Sequence, residues 1–113
     1  MVHHIEPGQI IDEVLKNEGL VVVDFFATWC APCQMLAPVL IELEKKYGDE
    51  VEFYKVNIDE SEDAAIRYGV SSVPTLIFFK NGEEIDRQVG FADEDELSNW
   101  IEEMKQILLI KKS

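Results

Sequence analysis

Cys30 and Cys33, three residues apart in the segment Trp29-Cys30-Ala31-Pro32-Cys33, are the side chains of this sequence best suited to covalent chemistry. They follow Leu20 to Phe26 (LVVVDFF), a β-branched and aromatic run that reads as a strand buried on both faces. A helical apolar stripe begins directly after them, so both sulfurs should sit about one turn apart at a helix N-terminus. Free N–H groups and the helix dipole favour a thiolate there, which lowers the Cys30 pKa and makes it a nucleophile near neutral pH. Cys33, one turn further in and less exposed, is placed to attack a mixed disulfide formed at Cys30. That is reversible dithiol–disulfide exchange. Pro32 suits a first helical turn, where its missing N–H costs little.

Two blander readings compete: half of a zinc site, or two packed core thiols. A structural zinc needs four ligands, and the other soft donors, His3 and His4, are adjacent and lack the spacing of a ligand pair. No metal is expected, and both histidines read as strand or surface residues.

Asp24 stands in the middle of LVVVDFF, where a carboxylate is costly to bury and desolvation would raise its pKa. Six residues before Cys30, such a carboxyl could accept and return the Cys33 proton, directly or through water. The competing reading is a strand-end aspartate that reaches solvent or caps backbone. Lys55, in VEFYKVNID, is a possible charge neighbour of Asp24 in the adjacent strand, or equally an ordinary exposed lysine on an alternating face. Val73-Pro74-Thr75 places a proline just before another apolar run, a turn element whose peptide bond is trans by default.

The elements that must position these residues are legible in outline. Val2 to Ile5 could form an edge strand stopped by Pro7 and Gly8. Ile10, Ile11, Val14 and Leu15 repeat at helical spacing, with a stop at Asn17 to Gly19. The helix after the cysteines carries Met35, Leu36, Val39, Leu40, Leu43 and Tyr47 as its stripe, with a kink expected at Pro38 and a cap at Gly48. Val51 to Ile58 reads as a strand, and Ser61 should cap a short helix through Tyr68 that Gly69 ends. Thr75 to Phe79 and Glu84 to Val89 flank Asn81-Gly82, a tight antiparallel hairpin. The last helix opens with a capping box at Asp93 and Glu96, buries Leu97, Trp100, Ile101, Met104, Ile107 and Leu108, and ends near Lys111 and Lys112. The order β-α-β-α-β-α-β-β-α implies an α/β fold: a central mixed β-sheet flanked by α-helices on both faces.

The 113 residues fit a single domain spanning 1–113, and 47% hydrophobic content supplies a core. Ten basic and 23 acidic residues leave a net charge of −13, which argues against nucleic acid and anionic membranes as partners. Two cysteines do not make a disulfide scaffold, and the N-terminus has no basic segment leading into an apolar one, so the chain reads as cytoplasmic. Charged side chains are missing from Phe25 through Ile41, the window that holds the dithiol, and again from Gly69 through Phe79. A carboxylate in the first window would oppose thiolate formation at Cys30 and penalise apolar docking.

Taken together, VVVDFFATWCAPC, the following Pro38, KVNID, VPT and the late VG resemble the thioredoxin family over essentially the whole chain. The resemblance implies the thioredoxin fold and a general protein-disulfide reductase that works through a mixed disulfide. Cys30 would attack, Cys33 resolve, and Asp24 serve as the buried acid, with Lys55 as the basic residue near it. No cofactor would be bound; the Cys30–Cys33 pair, cycling between dithiol and disulfide, would carry the electrons. The resemblance further implies that Val73–Pro74 is cis with Pro74 facing the dithiol. Trp29, Ala31, Pro32, Val73, Pro74, Val89, Gly90 and Phe91 would form an apolar docking rim. The implied partners are a thioredoxin reductase as electron donor and disulfide-containing proteins as substrates, met by a monomer. The chain departs from the family at Ala31, commonly Gly, at Gln34, usually Lys, and at Phe26, often Trp; these bear on reduction potential and reductase fit. Two rivals stand beside this reading: a disulfide oxidase or isomerase, and a binding subunit whose thiols are incidental.

Overall fold

A computed structural model of the chain describes residues 2–6, 9, 11–16 and 19–112, with backbone only for 109–112. Its elements are β1 (His3–His4), α1 (Ile11–Leu15), β2 (Leu20–Phe26), α2 (Ala31–Tyr47), β3 (Val51–Asn57), α3 (Glu62–Arg67), β4 (Thr75–Lys80), β5 (Glu83–Val89) and α4 (Glu94–Lys112). The five strands lie in the order β1-β3-β2-β4-β5. β1, β3 and β2 are parallel, whereas β4 runs antiparallel to β2 and β5 to β4. The sheet is therefore mixed, and β2, its central strand, leads straight to Cys30.

Strand alternation divides the core into two layers. Val22, Phe53, Leu76 and Phe78 pack with Leu36, Leu40 and Leu43 of α2 and with Leu97, Trp100, Ile101 and Met104 of α4. On the opposite face Val21, Val23, Phe25, Val56, Ile77 and Phe79 meet Ile11 and Leu15 of α1 and Ala64 of α3. Because both faces are covered, β2 needs a near-continuous apolar run, and Asp24 is its exception.

Local signals account for most boundaries. Asn81 and Gly82 have φ of 50° and 82°, the doubly left-handed pair of a tight two-residue hairpin between β4 and β5. The capping box forms at α4: the Glu96 N–H donates to Asp93 Oδ1 at 2.9 Å, and the Asp93 N–H donates to Glu96 Oε1 at 3.4 Å. Trp100 packs edge-on against Phe78 and donates its indole N–H to Asp86 Oδ2 at 2.9 Å.

Some expectations differ from the structure. In α2 the buried positions are Cys33, Leu36, Leu40, Leu43 and Tyr47, while Met35 is 58% exposed. Met35 is one residue, about 100° of helix rotation, away from Leu36 and falls outside that stripe. Ser61 occupies the N-cap of α3 but makes no side-chain cap bond, its ψ of 60° lying outside the extended region; its carbonyl accepts the Ala64 N–H at 3.1 Å. Pro38 falls inside α2, as expected. Pro7, Gly8, Ile10, Asn17 and the side chains of Lys111 and Lys112 lie outside the described residues.

Candidate active site

β2 ends at Phe26 and the chain reaches Cys30 after Ala27, Thr28 and Trp29. Cys30 is the N-cap of α2, with extended φ and ψ of −90° and 114°. An N-cap side chain characteristically accepts the N–H three residues on. Here the acceptor is sulfur: the Cys33 N–H donates to Cys30 Sγ at 3.2 Å. The three-residue spacing thus serves two purposes, since the residue whose N–H the Cys30 sulfur caps also presents the second sulfur. Pro32 falls in the first turn, where no N–H is needed. The two sulfurs are joined in a disulfide, with Cα atoms 5.2 Å apart.

Both cysteines are nearly buried, Cys30 at 5% and Cys33 at 4% exposure, so the expected contrast between them is absent at the level of whole residues. Ala27 packs with them, and Phe26, Ile58 and Val73 line the small apolar cluster. Above it Trp29, Cys30, Ala31 and Pro32 line a groove of about 550 Å³ with Ile58, Ser71, Ser72 and Val73. The two uncharged windows of the sequence meet in this groove. The Val73 carbonyl oxygen lies 3.6 Å from Cys30 Sγ, within reach of a thiol donor.

The Val73–Pro74 peptide is cis. Pro74 itself is buried, which separates it from its exposed neighbours in the expected rim. Its carbonyl accepts the Gly90 N–H at 2.8 Å, a bond that ties the segment Val89-Gly90-Phe91 to the Pro74 turn. Gly90 has φ of +92°, a conformation a side chain would strain. Trp29, Val89 and Phe91 are 67%, 63% and 43% exposed, large apolar side chains left on the surface.

Asp24 is fully buried, and neither of its carboxyl oxygens has a hydrogen-bond partner among the described residues. By alternation it faces the α2 side of the sheet, between Val22 and Phe26 on β2 and beside Leu76 on β4. Burial pushes its pKa from the ordinary 3.8 up to about 7, and the charge of Lys55 opposes that rise. Lys55 is register partner of Asp24 on β3, half-buried, with its ammonium 4.4 Å from the centre of the Phe26 ring.

One further residue, Asp59, shapes the site without having been singled out in the sequence. Asp59 Oδ2 accepts the Trp29 indole N–H at 2.8 Å and orients that ring. A carboxylate therefore does reach the rim, delivered from outside the two uncharged windows. The available signal was topological: parallel β2 and β3 end at the same sheet edge, Phe26 opposite Asn57, so residues just beyond both strands must emerge together. Gln34 donates its amide N–H to the Thr28 carbonyl at 2.8 Å, holding the loop before Trp29. Among the described residues no cluster of His, Cys, Asp and Glu could hold a metal ion, and no helix is long and apolar enough to cross a membrane.

Comparison with known proteins places this geometry among relatives. The family model described as Thioredoxin matches residues 2–103. A thioredoxin of Rickettsia prowazekii is 41% identical over 101 residues, covering 89% of this chain and 96% of its own. A thioredoxin of Bacillus subtilis is 44% identical over 85 residues, 75% of this chain and 82% of its own. The structure of a mutant thioredoxin from Halobacterium salinarum superposes with a TM-score of 0.81 at 38% identity, covering 89% of this chain and 88% of that one.

Proposed function

Since the chain belongs to the thioredoxin family and is a protein-disulfide reductase, we propose that Cys30 is its attacking thiol and Cys33 its resolving thiol. The observation that carries this assignment is the N-cap bond, the Cys33 N–H donating to Cys30 Sγ at 3.2 Å. A donor aimed at one sulfur, together with the helix dipole, stabilises negative charge on Cys30 and leaves Cys33 the thiol that must lose a proton later.

In the reduced protein the Cys30 thiolate attacks one sulfur of a substrate disulfide, forming a mixed disulfide and expelling the other sulfur as a thiolate. Cys33 then gives up its proton and attacks Cys30 Sγ, and the substrate leaves with its second thiol. Two electrons pass to the substrate and the Cys30–Cys33 disulfide remains. Asp24 accepts the Cys33 proton, directly or through water: a buried carboxyl poised near neutral pH can take a proton and return it. Lys55 modulates that exchange as a neighbouring charge. Pro74 faces the dithiol, and Trp29, Ala31, Pro32, Val73, Val89, Gly90 and Phe91 receive the substrate chain through apolar and backbone contacts.

A thioredoxin reductase returns the electrons, and the protein works as a monomeric single domain in the electron transport of a reducing cytoplasm, on disulfide-containing proteins. The charge of −13 supports a partner set without nucleic acid or anionic membrane surfaces. Cys33→Ser should accumulate mixed disulfides through Cys30, visible by mass spectrometry and released by dithiothreitol. Cys30→Ser should trap none and lose turnover by roughly a thousandfold or more. Trapping through Cys33 instead would reverse the assignment.

A further inference from the structure

Asp24 and Lys55 are opposite one another in the parallel register of β2 and β3, yet they do not pair: among the described residues no hydrogen bond reaches either Asp24 oxygen. The Lys55 ammonium lies instead over the Phe26 ring, 4.4 Å from its centroid. Phe26 is two residues beyond Asp24 on β2 and so shares its face of the sheet. The quadrupole of an aromatic ring attracts a cation placed over its face. Pairing with Asp24 would require drawing the ammonium of a half-buried lysine down to a fully buried carboxyl, with loss of its remaining hydration.

The other groups around Asp24 leave Lys55 as the cation on this face of β3. Cys30, the N-cap of α2, and Cys33 in its first turn are joined in the disulfide and carry no charge. β4 supplies the apolar Leu76 opposite Asp24. From β1, His4 is register partner of Lys55, and its ring meets Phe26 edge-on at 6.4 Å. The α4 residues of that core, Leu97, Trp100, Ile101 and Met104, carry no charge.

We propose that Phe26 is a positioning residue for the buried Asp24 carboxyl: its ring seats the Lys55 ammonium close enough to act on Asp24 through space, and too far to form an ion pair. The seat holds the charge at a fixed place. A direct ion pair would lock Asp24 as an anion, while an ammonium free in water would be screened from it. The inference concerns the titration of Asp24 alone and stands whether or not Asp24 carries the Cys33 proton.

The test reads the Asp24 side-chain carboxyl carbon by NMR as a function of pH, in oxidised protein carrying His4→Gln so that the imidazole does not contribute. Phe26→Leu should release Lys55 to solvent and raise the Asp24 midpoint by roughly half a unit to one unit. Phe26→Trp, which keeps an aromatic face, should leave the midpoint near the parent value. Lys55→Met should raise it as well, and adding Phe26→Leu to Lys55→Met should then change little, because the seat has nothing left to hold. A Phe26→Leu shift that is absent or downward overturns the proposal. So does a shift of equal size with and without Lys55, which would mark Phe26 as a matter of burial only.

Discussion

Two carboxylates on opposite faces of the same sheet are treated in opposite ways. Asp24, on the central strand that leads to Cys30, is completely buried and accepts no hydrogen bond from the described residues. Asp12, on α1 at the other face, accepts from Arg67 Nε at 3.0 Å, from Arg67 Nη2 at 2.7 Å and from the Tyr68 hydroxyl. Arg67 and then Tyr68 hold the Asp12 pKa below its ordinary value, whereas burial lifts that of Asp24 to about 7. The difference is one of purpose. Three donors fix the Asp12 anion and staple α1 to α3, which makes it useless for moving a proton at neutral pH. A carboxyl without donors is expensive to ionise and for that reason able to exchange its proton.

The largest expected effect breaks the comparison at Asp24. Unfolded, this side chain releases its proton near 3.8, and folded it keeps it to about 7. Between those values the folded chain binds one proton more than the unfolded chain, so its contribution to stability declines as pH rises and is flat above about pH 7. Asp24→Asn abolishes the decline. It should stabilise the protein by about 4 kcal/mol at pH 8 and by almost nothing near pH 3.5, read by urea unfolding at both values. The same variant should slow resolution of the mixed disulfide near pH 7 more than the initial attack. An equal stability gain at both pH values would mean that Asp24 ionises in the fold as freely as in water.

A smaller effect of opposite sign is expected at Asp12. Its folded pKa is depressed, so the stability it brings is complete above the ordinary carboxyl range and lost as pH falls through the folded value. Arg67 is 65% exposed and Asp12 38%, so solvent screens most of the attraction between them. Asp12→Asn should cost about 1 kcal/mol at pH 7, less in high salt, and leave disulfide reduction unchanged. A cost that persists undiminished in 1 M salt would show hydrogen bonding, not charge, to be what Arg67 supplies.

The same contrast marks how far the sequence could be read. Asp24 stood out because a charge inside LVVVDFF violates a buried strand, and CxxC between strand and helix carries its chemistry in its spacing. The hairpin at Asn81-Gly82 and the capping box at Asp93 and Glu96 are local devices, complete within a few residues. Asp12 and Asp59 gave no such sign, since Asp12 falls between the stripe positions of an amphipathic helix and Asp59 in a polar stretch, both places where an acidic residue is ordinary. Their partners, Arg67 and Trp29, are 55 and 30 residues away and become neighbours only when the parallel crossovers close. Met35 failed for another reason: a residue one step off a helical stripe is apolar on exposed and buried faces alike, and only packing separates the two.

The smallest effect sharpens the Asp12 side by separating its two kinds of donor. Tyr68 packs its ring edge-on against Phe79 at 5.3 Å and tilted against Phe25 at 6.2 Å, while its hydroxyl reaches Asp12. Burial and that anionic acceptor both raise the Tyr68 pKa, so the hydroxyl is a donor throughout the working range of pH. Tyr68→Phe keeps both ring contacts and removes one donor, leaving Asp12 to Arg67. A single hydrogen bond to a partly exposed carboxylate predicts a loss of about 0.5–1 kcal/mol at pH 7. Because the removed donor is neutral, that loss should respond to salt much less than the loss in Asp12→Asn, when both are measured by urea unfolding in 0.05 M and 1 M salt. With one lowering influence gone, the acid midpoint of Asp12 should also move up toward its ordinary value. If Tyr68→Phe costs as much as Asp12→Asn and shows the same salt response, then Arg67 and Tyr68 act as one unit, and the anion is held by the network as a whole instead of by separable donors.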